Sequence, residues 1–177
     1  MMDITSHTHH ISQQYNIELD DIRTHLSEMG GMAQRQVNDA ISALVDADIE
    51  KAEQVVRADK SVNMMEMSID EECVRILARR QPAASDLRLV IAVTKAITDL
   101  ERIGDKSAKI ARRSRNMYEA GKISVPRLSD LTYQSDLALG MLRTALDGFA
   151  RLDASVAAVV AREDLKLDDE FKAIQRQ

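Results

Sequence analysis

Tryptophan is absent from this 177-residue chain, aromatic residues make up 3% of it, and it holds only six glycines, two prolines and one cysteine. Few turn-formers and few aromatics leave no vocabulary for an all-β sandwich or barrel, which needs a turn every few residues. A single Cys73 cannot close a disulfide within the chain, so a reducing, cytoplasmic compartment is expected. No apolar run reaches the length of a membrane span, and the opening residues Met1 to Ser6 lack the basic and apolar regions of a secretory signal. What remains is rich in Ala, Leu, Ile, Val and Met, the residues of helices packed on helices. The net charge of -5 opposes nucleic acid and anionic lipid on average.

Hydrophobic spacing divides the chain into long helices. Residues 1–11, with His7, His9 and His10, read as a flexible terminus. A helical pattern from Ser12 to Val45 ends at Asp46-Ala47-Asp48, where Asp48 can cap a second helix from Ile49 to Arg80. Pro82 disfavours helical geometry in Gln81, which stops that helix. Ser85 is expected to cap a third, running to about Ala120, with its seam at Leu89, Val93, Ala96, Leu100, Ile103, Ser107 and Ile110. Short connections between such helices make them antiparallel neighbours, so residues 12–120 form a three-helix bundle. Residues 121–127 link it to two more helices within 128–177.

Those two helices repeat the first two. A shift of 105 residues aligns Ala33 with Ala138, Ala40 with Ala145, Asp48 with Asp153, Val55 with Val160, Arg57 with Arg162 and Asp59 with Asp164. The fold expected is therefore all-α, with one complete three-helix bundle and an incomplete second copy. Helices four and five would expose apolar faces for want of a third, and such faces favour a homodimer or larger assembly.

Carboxylates at helical spacing are the strongest chemical feature. Asp59, Asn63, Glu66 and Asp70 share one face of helix two and interrupt a stripe that is apolar at Ala52, Val55, Cys73 and Leu77. Glu101 and Asp105 form a second pair on helix three. Counted from the turn near Ala83, Glu66 and Glu101 stand nearly level. Two carboxylates at one height can bridge a hard cation such as iron, manganese or magnesium; alternatively, all of them form a solvated face paired with Lys and Arg. Asp99 with Arg102, and Asp86 near a helix start, read as ion-pair and helix-dipole partners. No second histidine joins His25 to build a di-iron carboxylate site, Cys73 reads as a small buried hydrophobe, and Gly30-Gly31 lacks the lysine of a phosphate loop. Met64, Met65 and Met67 read as core. The basic run Arg102 to Arg115 is spread around its helix and carries no nucleic-acid recognition motif.

The segment Gln81-Pro82-Ala83-Ala84-Ser85-Asp86-Leu87-Arg88, followed by Asp99-Leu100-Glu101-Arg102-Ile103-Gly104-Asp105, resembles the signature of the PhoU family. That resemblance implies tandem three-helix bundles and a non-enzymatic regulator of phosphate uptake. It also implies partnership with the ATPase of a phosphate ABC transporter and with a phosphate sensor histidine kinase. It further implies repeated Glu/Asp-x-x-x-Asp motifs able to bind iron or another divalent metal. Glu66 to Asp70 and Glu101 to Asp105 have that form, whereas Asp59 to Asn63 departs from it by an amide. In the second repeat Asp164 and Asp168 fit, but Phe171 stands where Glu66 would be. A helical bundle with a purely structural role, or one that binds nucleic acid through Arg102 to Arg115, is the alternative.

Overall fold

A computed structural model of the chain describes residues 4–121 and 128–175. These form five α-helices: α1 (Ile4–Val45), α2 (Ile49–Arg80), α3 (Ala84–Glu119), α4 (Leu128–Arg151) and α5 (Val156–Gln175). The expected linker and Pro126 lie outside the described residues, as do the side chains of His7, His9 and His10. The backbone from Ile4 to Ile11, expected to be flexible, is helical. It contains neither Gly nor Pro, so a ladder nucleated by the packed part of α1 extends through it at little cost.

Turn chemistry sets the antiparallel order. Ala47 takes the left-handed conformation (φ 56°), and Asp48 then caps α2 by accepting from the Lys51 backbone N–H at 2.9 Å. The α4–α5 turn repeats this geometry. Leu152, which aligns with Ala47, has φ 55°, and the Asp153 N–H bonds Gly148 O at 2.8 Å where Asp48 bonds Ala43 O at 3.0 Å. The Asp153 side chain caps through Ser155, accepting from its N–H at 3.0 Å and its hydroxyl at 2.6 Å. Between α2 and α3, Gln81 is left-handed (φ 49°) and closes α2. The cap of α3 is Ala83, in extended geometry and without a side-chain bond; Ser85, expected in that role, turns its hydroxyl to Asp86 instead. The helix starts two residues too early for Ser85 to act as its cap.

Helices α1, α2 and α3 pack mutually into one bundle, α4 lies on α1, and α5 pairs with α4. The core is built from Leu19, Ile22, Leu26 and Met29 of α1, Val62, Ile69, Cys73 and Ile76 of α2, and Val90, Val93, Ile97 and Leu100 of α3. The seam of α3 thus begins at Val90, not Leu89. Leu89, Ala96, Ile103 and Ile110 are only half-buried, while Val90, Ile97, Gly104 and Ala111 are buried. A seam touching two helices is wider than one touching a single partner, and its centre moves one residue on. Met65 packs on the core, but Met64 and Met67, also read as core, face solvent. Arg80 ties the end of α2 to α1 through Glu18 at 2.7 and 2.9 Å, and this bond holds the Glu18 carboxyl below its ordinary range.

The second unit is thinner. No residue of α5 is fully buried among those described. Between α4 and α5 an apolar cleft of about 660 Å³ is lined by Met141, Ala145, Phe149, Val156 and Val160. No helix among the described residues is long and apolar enough to cross a membrane.

Candidate functional site

The carboxylates meet along the α2–α3 contact. On α2 the buried stripe is Ala52, Val55, Val62, Ile69, Cys73 and Ile76; Asp59, Asn63 and Glu66 run beside it as a half-buried edge, and Asp70 is exposed. They flank the core instead of interrupting it. Glu101 is the focus of the row. Burial pushes its carboxyl above the usual range, and the negative charges of Glu66, Asp105 and Asp59 push in the same direction. Asp105 is answered by Lys109 at 2.6 Å, and that hydrogen bond draws its carboxyl below the usual range. The structure therefore brings Asp59, Glu66, Glu101 and Asp105 together and leaves Asp70 farther along α2, beside Cys73.

Beneath the row lie polar groups without partners. Asp59 Oδ1 and Asn63 Oδ1 are buried and accept no hydrogen bond, and Gln36 of α1, only 4% exposed, has neither its amide nitrogen nor its oxygen satisfied. Such atoms each cost roughly 1–3 kcal/mol, so something should compensate them. Gly104 makes the arrangement fit. A Cβ there would stand 2.6 Å from Gln36 Oε1, 3.3 Å from Val62 Cγ1 and 3.6 Å from Asp59 Oδ1. Sequence spacing did not single out Gln36. Its signal is a lone amide on the α1 face that buries Met29, Ala33 and Ala40.

The signature residues divide into two groups. Gln81 and Pro82 make the turn, Asp86 accepts from the Tyr15 hydroxyl at 2.9 Å across to α1, and Gly104 admits the polar cluster. Leu87 and Arg88 point outward. Asp99 and Arg102 form a surface pair at 3.4 Å, an interaction worth about 1 kcal/mol or less. The Cys73 thiol is buried, and burial raises its pKa. His25 pairs with Glu72 at 2.8 Å on the α1–α2 side. Gly30 and Gly31 lie inside α1, where Gly30 receives Leu146 of α4.

Known proteins share this fold. A model described as the PhoU domain matches residues 26–114, which span the α1–α2–α3 contacts carrying the row and the signature. The chain belongs to the PhoU family. A Pseudomonas putida relative, a phosphate-specific transport system accessory protein PhoU homolog, is 51% identical over 177 residues, all of this chain and 69% of that protein. The crystal structure of PhoU from Pseudomonas aeruginosa superposes with a TM-score of 0.86 at 50% identity, covering 92% of this chain and 77% of its own. The phosphate transport system regulatory protein PhoU of Streptococcus pneumoniae gives 0.82 at 30% identity, covering 90% and 74%. The chain thus shares its all-α architecture with PhoU structures at both high and moderate identity.

Proposed function

We propose that this chain regulates phosphate uptake and phosphate-starvation signalling. In this reading it is a cytoplasmic adaptor between the ATPase of a phosphate ABC transporter and a sensor histidine kinase, and it represses the starvation response. The observation that carries the reading is the 51% identity over the whole chain to a phosphate-specific transport system accessory protein. The TM-score of 0.82 to a phosphate transport system regulatory protein supports it. The test is deletion of the gene in its own host, with alkaline phosphatase activity measured in phosphate-replete cells. Activity should rise and return to its low level on complementation; unchanged activity refutes the regulatory role and favours a purely structural bundle.

A second reading concerns the acidic row. It is a divalent or ferric cation, iron, manganese or magnesium, held by Asp59, Glu66, Glu101 and Asp105, with Asp70 at the margin. Two observations favour it: the unpartnered buried oxygens of Asp59 and Asn63, and the like charges that gather on Glu101. The donors are all oxygens, which suits hard cations. Among the described residues no three His, Cys, Asp or Glu side chains converge on one point as they stand, so binding requires rotamer changes in the long Glu66 and Glu101 side chains. A bound cation would neutralise the row; the residues themselves supply the oxygens and the two-helix frame that sets their spacing.

A further inference from the structure

The outer side of the α2–α3 contact is apolar over one half and acidic over the other. Val74 (56% exposed), Leu77 (37%), Leu87 (37%) and Ile91 (44%) all face solvent. Single exposed hydrophobic residues are ordinary, but a contiguous set is not. Helix register makes these contiguous. Thr94 lies near Cys73, Glu66 acts on Glu101, and Val62 stands beside Gly104, which sets Val74 within about half a helical turn of Ile91 and Leu77 at a height between Leu87 and Ile91. At roughly 100° per residue the four lie on the outward side of the buried Cys73, Ile76, Val90 and Val93. Two of them, Leu87 and Ile91, belong to the start of α3, whose packing does not require them to be apolar.

Farther along the same groove stand Asp70, Glu66 and Glu101, and of the carboxylates there only Asp105 has a basic side chain bonded to it among the described residues. From Leu77 to Asp59 the groove runs about 27 Å, the length of a five-turn helix. Helices α4 and α5 do not cover it, because α4 packs on α1, the far side of the bundle. An anionic lipid surface or a nucleic acid would meet the acidic half with like charge.

We propose that this groove docks an amphipathic helix of a partner protein, with apolar residues at one end against Val74, Leu77, Leu87 and Ile91 and Lys or Arg at the other end against Glu66, Asp70 and Glu101. The mode is helix in groove: apolar anchors supply affinity, and the opposite charges set direction. The inference rests on the adaptor reading, takes the acidic row in its cation-free form, and gives the adaptor a surface. It is tested on the purified chain, so its failure is separate from any result of gene deletion.

The probe is a displayed library of helical peptides of about 20 residues, with apolar and charged positions randomised, selected on the full chain in chelator. Recovered peptides should carry apolar residues at i, i+3, i+4 and i+7 toward one end and Lys or Arg toward the other. Val74→Asp with Ile91→Asp should reduce their binding at least tenfold. Glu66→Gln with Glu101→Gln should remove the preference for basic over neutral ends while the apolar end still binds. Circular dichroism that superposes with the parent shows that both variants fold. The proposal is overturned if no peptides are enriched, if acidic or charge-indifferent peptides emerge, or if the variants bind as the parent does. It is also overturned if Val74→Asp with Ile91→Asp instead abolishes self-association in sedimentation or binding to phosphatidylglycerol vesicles, because the occupant is then a second copy or a membrane.

Discussion

Adjacent glycines in the middle of α1 should respond to alanine with opposite signs. In a helix interior, Gly→Ala by itself gains about 1 kcal/mol through backbone entropy. At Gly31 nothing opposes the gain, since the nearest atom to a new Cβ is Arg35 Nη1 at 3.5 Å, an ordinary contact. Gly31→Ala should stabilise the protein by about 0.5–1 kcal/mol. At Gly30 the new Cβ would meet Leu146 Cδ1 at 2.6 Å, Cδ2 at 2.8 Å and Cγ at 3.3 Å. All three atoms belong to one half-buried leucine, so relief requires either a new Leu146 rotamer or a retreat of α4. Either response loses packing: a gap of about 1 Å forfeits a quarter to a half of each dispersion contact, and Leu146 packs on the core beside Leu142 and Phe149. Overpacking of this kind costs about 1–3 kcal/mol. Because helix propensity cancels between the two variants, their difference isolates that cost. Thermal melts should place Gly30→Ala below Gly31→Ala by roughly 2–4 °C per kcal/mol. Hydrogen exchange should show the loss in α4 and α5, with the three-helix core unaffected. In a double-mutant cycle, Leu146→Ala should cost less in the Gly30→Ala background than in the parent. Equal stabilisation by both alanines would refute the claim that Gly30 is the seat of α4.

Glu101→Gln provides a pH test. Burial and the charges of Glu66, Asp105 and Asp59 raise the Glu101 pKa in the folded state, so folding takes up a proton between the ordinary value of 4.5 and the raised one. The stability this proton linkage supplies is complete below the unfolded pKa and is lost as pH rises through the folded one. Without metal, Glu101→Gln should therefore melt higher than the parent at pH 7, with the gap closing toward pH 4; a lower melting temperature at pH 7 contradicts the reading. For the cation, chelator-treated protein should gain melting temperature on addition of iron, manganese or magnesium, and Glu66→Ala with Glu101→Ala should not. No gain in the parent, or an equal gain in the double variant, makes the row a solvated face.

Local rules made much of this molecule legible before its fold. Asp48 and Gln81-Pro82 mark helix ends because capping and the steric effect of proline act within a few residues. The alignment of Asp48 with Asp153 anticipates two turns of like geometry, since the left-handed residue before each Asp is a local necessity of so short a connection. The nearly level Glu66 and Glu101 follow from counting out of a single tight turn. Where the count involved more than one partner, it slipped. The seam of α3 is centred at Val90 because α3 faces two helices, and Met64 and Met67 are exposed because their arc of α2 faces neither. Ser85 lost its capping role to a two-residue shift in where α3 begins.

Tertiary structure alone decided the rest. Gln36, Asp59 and Gly104 lie far apart in sequence, and only the three-helix packing encloses them with their hydrogen bonds unmade. The same holds for Leu146 against Gly30, for Tyr15 on Asp86, and for the outward row of Val74, Leu77, Leu87 and Ile91. Helix formation is dictated by neighbours three and four residues away, so the sequence by itself determined the elements, the helix ends at Asp48 and Gln81 and the carboxylate spacing. Burial of a polar atom or exposure of an apolar one depends on which helix lies opposite, and that is determined by the packing of the whole bundle.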